Sequence, residues 1–237
     1  MKYKRWAIVI PAAILALAVI VVGGYGIVTL VGHKAPGAFS LSSPAPSTDL
    51  GGPTGRWKIA AGSEAGYRVR EKFINQTTPT EAVARTSAIT GSLVVESQGG
   101  QFVVRQVSFS ADLTKLHSVD TYATYQAYQR DFFVSSLYLQ TGQYPTATFK
   151  SDGIIPPANA SSATSPVAMV GHGRLTLHGV GHDVDVPLTL QASGDRIELV
   201  GSIGLEMPDY AIEVPQIGFT RAEPHAVIEF HLFLARG

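Results

Sequence analysis

Period-two alternation of apolar and polar side chains, repeated along most of the chain, is the feature that most limits its fold. From Glu64 to Phe73, Ala65, Tyr67, Val69 and Phe73 fall on one side, while Glu64, Arg68, Arg70 and Lys72 fall on the other. Only a half-buried strand has that pattern. Phe102–Leu113 repeats it with Val103, Val107, Phe109, Ala111 and Leu113 on one side. Ile197–Leu205 places Ile197, Leu199, Gly201, Ile203 and Leu205 inward, and Ala226–Leu234 does the same with Ile228, Phe230, Leu232 and Leu234. Between these runs, Gln98-Gly99-Gly100 and Gly179-Val180-Gly181 read as hairpin turns. Ala82–Glu96 is a further run of β-formers around Gly91, a glycine that marks a bulge or sharp bend. Met169–Leu177 and Val184–Gln191 flank the second turn. The segments add up to an all-β fold of about eight strands, an antiparallel barrel or sandwich.

One stretch departs from the period. Tyr122, Tyr125, Tyr128 and Phe132 are spaced as one face of a helix, with Ser118 or Asp120 available as a cap. That aromatic stripe is either ordinary core packing or the lid of a ligand cavity. It leads into Gln129–Ser151, where Phe132, Phe133, Leu137, Tyr138, Leu139 and Tyr144 crowd a connector before Thr146–Lys150 resumes alternation. A connector is normally polar because water must serve its backbone. This one is built to cover something apolar.

The N-terminus divides the chain differently. Lys2, Lys4 and Arg5 precede an uncharged, mostly apolar run from Trp6 to Val31. At about 1.5 Å per residue that run can cross a hydrocarbon core of roughly 30 Å, and it exceeds the apolar region of a cleaved signal peptide. The expectation is a single transmembrane helix within residues 1–34, its basic end cytoplasmic, and everything after Lys34 outside the cell membrane. Residues 35–55, rich in proline, glycine and serine, read as a flexible linker, and residues 56–237 as the folded domain.

Lysine plus arginine equals aspartate plus glutamate at 18 each, so no net charge draws the protein to nucleic acid. The chain has no cysteine, which excludes disulfides and thiolate chemistry. No phosphate-binding loop, dinucleotide fingerprint, nucleophile elbow or H-E-x-x-H helix occurs. His172, His178 and His182 are the nearest approach to a metal or catalytic cluster, yet zinc wants three or four protein ligands, and the three read as polar hairpin side chains. Neither a catalytic residue nor a cofactor is assigned.

Three stretches together resemble the YceI-like family. Asp131–Phe133 (D-F-F) with Tyr144–Ser151 (Y-P-T-A-T-F-K-S) is one, and Gly173–Val180 (G-R-L-T-L-H-G-V) is a second. Trp57–Ile59 (W-K-I) and the Gly91 region are similar to the family's first strands. The resemblance implies a lipocalin-like barrel that binds a long-chain amphiphile such as an isoprenoid, outside the cytoplasm and without covalent chemistry. Tyr67, Phe109, Phe132, Phe133 and Phe149 are expected to wall the ligand, with Val69, Leu175 and Leu177. Tyr122 and Tyr125 would extend the cover, and Arg130 would stand near a head group. The family's basic, histidine-containing helix is here Y-A-T-Y-Q-A-Y-Q-R, so a charged head group would find fewer cations. A barrel of this size either fills with its own side chains or keeps one cavity. Beside the binding reading stand a filled structural or interaction barrel and a histidine-dependent hydrolase.

Overall fold

The computed structural model describes residues 34–43, 53–74, 77–121, 127–157, 166–193, 196–217 and 220–237. The apolar run Trp6–Val31 lies outside them, and no helix among the described residues is long and apolar enough to cross a membrane. The first strands are β1 (Gly55–Ile59), β2 (Glu64–Phe73), β3 (Thr80–Thr86), β4 (Ile89–Gln98), β5 (Gln101–Asp112) and β6 (His117–Ser118). There follow β7 (Thr146–Ser151), β8 (Val167–Leu177), β9 (Val180–Ser193), β10 (Arg196–Glu206), β11 (Gln216–Ile217) and β12 (Thr220–Arg236).

Several of these are halves of one bent strand. β2 and then β1 pair with the same edge of β12, Phe73 opposite Thr220 and Trp57 opposite Arg236. On their far side β3 pairs with β2 and β4 with β1, so β3 and β4 bend together, and β5 with β6 follows them. From β5 the order runs through β7, β8, β9 and β10 to β12. The sheet thereby closes as an antiparallel barrel of eight strands. The run read as Ala82–Glu96 is therefore interrupted after Thr86, where Thr86 Oγ1 accepts from the Ala88 N–H at 3.1 Å.

The bend expected at Gly91 has a steric cause. Its φ is +149°, and a Cβ there would lie 2.3 Å from the Ser108 carbonyl oxygen. Just beyond, the register shifts between Ser92 and Val94, beside Gln106, whose φ is +49°. This bulge reverses the phase of β5. Phe102 and Val104 line the interior ahead of it and Val107, Phe109 and Ala111 beyond it, so the expectation of Val103 on the same side as Val107 fails.

The one α-helix among the described residues is α1 (Ala127–Phe133), followed by a π-helical turn at Val134–Tyr138. Ser118 and Asp120, expected to cap it, do other work: Ser118 pairs with Ala84 in the sheet, and Asp120 Oδ1 accepts from the Val83 N–H at 3.1 Å. At the opposite end of the barrel Trp57 and Leu234 are fully buried, and Trp57 Nε1 donates to the Pro53 carbonyl at 2.8 Å.

Residues 35–43, expected to begin a flexible tether, are laid along the outer wall. The Pro36 carbonyl accepts from Arg68 Nη2 at 2.8 Å and the Gly37 carbonyl from Arg85 Nη2 at 2.9 Å. Phe39 lies under the Arg85 guanidinium, 3.8 Å from its carbon. Ser42 donates its N–H to Glu198 Oε1 at 2.7 Å and accepts from Gln191 Nε2 at 3.0 Å. The same two arginines neutralise Glu229, which is buried on the outward phase of β12.

Gly91→Ala should destabilise the barrel by about 1–3 kcal/mol, since a side chain there meets both a positive φ and a neighbouring carbonyl. Urea unfolding followed by tryptophan fluorescence measures it, with a lowered midpoint expected.

Candidate functional site

Inward-facing residues do not fill the barrel. Two cavities of about 150 and 220 Å³ lie within it. The first sits beneath α1, between Tyr67, Val69, Phe73, Leu205 and Met207 on the wall and Arg130, Val134, Tyr138 and Leu139 on the cover. The second is deeper, among Phe109, Phe149, Leu175, Leu199, Phe230 and Leu232. Ala65, Ala111, Ala147 and Ile228 line both. Ala111 and Ala147 face each other across β5 and β7, so the chambers meet at a waist made largely of methyl groups.

The lining is almost entirely apolar except at one corner of the upper chamber. Arg130, Asp120 and Glu71 are all buried there. Arg130 Nη1 donates to Asp120 Oδ2 at 2.9 Å and lies 3.5 Å from Glu71 Oε1, and Nη2 donates to Asp120 Oδ1. Arg130 Nε and Nη2 also donate to Ser118 Oγ, at 3.1 and 2.6 Å. Ser118 in turn donates its N–H to both carboxylate oxygens of Asp131 at 3.1 Å, and its hydroxyl to Oδ1. Burial by itself lowers the Arg130 pKa, but the Asp120 hydrogen bond and the charges around it outweigh that and hold the guanidinium ionised. Burial also pushes the Tyr67 phenol well up, against the pull of Arg130, so it stays protonated. Among the described residues the corner thus has one cation, Arg130, among the carboxylates of Asp120, Glu71 and Asp131, with the Tyr67 phenol beside it. It suits an uncharged polar group better than an anion, which would face Asp120, Glu71 and Asp131.

The expected site residues separate into groups. Tyr67, Val69, Arg130 and Leu177 line the upper chamber, and Phe109, Phe149 and Leu175 the deeper one. Phe132 and Phe133 line neither; their rings meet edge to face at 5.8 Å and Phe132 is exposed. Tyr122 and Tyr125 lie outside the described residues. The described half of the aromatic stripe, Tyr128 and Phe132, points to solvent, because the face turned to the barrel carries Arg130 and Val134, one helical turn apart. The connector does cover a cavity, but through that other face and through Tyr138, whose hydroxyl accepts from the Gln216 N–H at 3.0 Å and donates to the Gln216 carbonyl at 3.1 Å.

Glu71 and Asp120 belong to the site although the sequence reading does not include them. Glu71 carried a signal, a charge on the inward phase of β2 between Val69 and Phe73. The alanine waist carried none. The three histidines are not gathered: His172 Nδ1 meets Asp185 at 2.6 Å, His178 Nδ1 the Tyr210 carbonyl at 3.2 Å and His182 Nε2 the Asp209 carbonyl at 2.9 Å. Among the described residues no group of histidines and carboxylates is arranged to hold a metal ion.

Arg130→Met should cost about 3–5 kcal/mol, because it leaves buried carboxylates without their main countercharge. Adding Asp120→Asn should recover part of that loss in the same unfolding measurement; no recovery would mean that the pair is not coupled.

Among solved structures, a polyisoprenoid-binding domain from Saccharophagus degradans implicated in plant cell wall breakdown superimposes with a TM-score of 0.56 at 15% identity, covering 78% of this chain and 99% of that one. BcnA of Burkholderia cenocepacia superimposes with a TM-score of 0.52 at 16% identity, covering 74% and 98%. At these identities the likeness is one of fold. No curated protein matches the chain by sequence. The family model described as the YceI-like domain matches residues 57–232, nearly the whole barrel from Trp57 in β1 to Leu232 in β12, and the chain belongs to the YceI-like family.

Proposed function

We propose that this protein is an extracytoplasmic, membrane-tethered binding protein that holds a long-chain isoprenoid-like lipid without covalent chemistry. The observation that carries the reading is the apolar interior, two chambers abutting at Ala65, Ala111, Ala147 and Ile228. An extended hydrocarbon chain fits such a space, and burial of about ten methylenes contributes roughly 8 kcal/mol before association and ordering costs. The name of the Saccharophagus relative, a polyisoprenoid-binding domain, supports the ligand class. The head group belongs at the Arg130 corner. With Asp120 and Glu71 already on that guanidinium, an alcohol or another uncharged donor is accommodated and a diphosphate is disfavoured.

Tethering rests on Trp6–Val31, uncharged between Arg5 and Lys34. Lys2, Lys4 and Arg5 keep that end in the cytoplasm, which leaves the barrel on the outer side of the membrane.

Organic extraction of the purified protein followed by mass spectrometry should yield a long-chain lipid near one equivalent. Recovery of none, with no uptake of added polyprenyl alcohol, would sink the reading. Ala147→Phe, which obstructs the waist, should weaken binding of a long polyprenol far more than that of a short one. For the tether, the protein should sediment with membranes and lose its barrel to protease added outside; a soluble, shortened form would show that the run had been removed.

A further inference from the structure

Chain direction fixes which end of the barrel an N-terminal anchor would meet. β1 starts beside Trp57 and Leu93, at the end remote from α1, where Gly55 pairs with Val95. An anchor joined there through a loose linker would leave the α1 end free to point anywhere. The strap alters that. Lys34 pairs with Thr121 by two backbone hydrogen bonds of 3.0 Å, immediately after Asp120 of the Arg130 corner. From there the chain passes Arg68 and Arg85, then Glu198 beside the β9–β10 turn. Residues 34–43 therefore run the length of the wall, from the α1 end to the remote end. The chain's point of entry is moved to the covered mouth of the upper chamber.

That same end carries exposed apolar side chains. Ile74 is 76% exposed, Tyr128 65%, Phe132 64% and Leu137 58%. Ile74 follows Phe73, which lines the upper chamber, and the other three belong to α1 and its π turn. Large apolar groups gathered around a cavity mouth mark an interaction surface, and tyrosine and phenylalanine are suited to a lipid interface. The length of chain ahead of the strap selects the partner. From Val31 to Lys34 is a span of at most about 10 Å at full extension.

We infer that the strap docks the α1 end of the barrel on the bilayer, with Ile74, Tyr128, Phe132 and Leu137 entering the interface and the upper chamber opening toward the lipid. The inference rests on the reading of Trp6–Val31 as a membrane anchor. Exposed apolar residues that do nothing for the fold acquire a role as the barrel's contact with its lipid source. The mouth receives a chain directly from the membrane, without a water-filled gap between them.

Absence of cysteine makes the test direct. Leu137→Cys and Gln101→Cys, the second at the β4–β5 turn of the remote end, are each labelled with a small fluorophore in the full-length chain. Each is reconstituted in phosphatidylcholine–phosphatidylglycerol vesicles containing nitroxide-labelled lipid. The label at position 137 should be quenched several-fold more than that at position 101. Equal quenching, or stronger quenching at 101, in protein that floats with the vesicles would overturn the docking while leaving the anchor intact. Protein that fails to float would overturn both. Phe39→Ala with Ser42→Pro, which strips the strap of its ring contact and of its bond to Glu198, should lessen the contrast; a contrast unchanged in that variant would remove the strap from the account.

Discussion

The molecule depends on β12. Its Thr220–Arg236 run lies between β10 on one side and β2 followed by β1 on the other, so a single strand holds both margins of the sheet and closes it. Closure supplies backbone partners without relying on a packed centre, and an eight-stranded barrel has just enough width for its own side chains or for one chain-like guest. Here small residues decide the outcome. Ala65, Ala111 and Ala147 stand where larger ones would have filled the middle, while Trp57, Leu93, Val95, Val107 and Leu234 pack together at the remote end and wall the second cavity there.

How far this could be read from sequence follows from which contacts leave a side-chain pattern. Strand alternation was legible because the interior is apolar and the wall polar; Ile197–Leu205 and Ile228–Leu234 turn inward as their patterns imply. The phase error at Val103 arose because a bulge at Gln106 inserts one residue opposite Leu93, and β5 itself has no glycine or proline there to mark it; the signal, Gly91, lies on the partner strand. The helix was legible, but its buried face was not: aromatic spacing drew attention to Tyr128 and Phe132, whereas a cation, Arg130, points inward. Burial of a charge is set by partners such as Asp120, ten residues earlier, and Glu71, on another strand. Periodicity has no access to such partners.

The strap was illegible for a different reason. Its anchoring groups are largely backbone, the Pro36 and Gly37 carbonyls and both polar groups of Ser42. A segment rich in proline, glycine and serine reads as a linker because its side chains offer little to bury. Proline restricts the extended conformations available to it, which lowers the entropy lost on docking, and outward-facing Arg68, Arg85, Glu198 and Gln191 supply the receptor. Glu198 shows the consequence. Its burial raises the carboxyl pKa, but the Ser42 backbone hydrogen bond and the contacts of His231 and Gln191 outweigh it, and the net shift is downward.

The cover over the upper chamber is held by related means. A helix as short as Ala127–Phe133 has little stability of its own, and Phe132 on it and Leu137 in the π turn face solvent. Arg130 fastens one end through Asp120, Ser118 and Glu71, and Tyr138 fastens the other through the Gln216 backbone. Val134 and Leu139, between and beside those points, line the chamber. Directional polar contacts at two ends fix where the cover lies, and leave the surface beneath it smooth and apolar. The buried charge cluster is therefore a fastening for α1 and not a clamp for an anionic head group: its cation is committed to neighbouring carboxylates, and it holds the middle of a helix too short to stand alone.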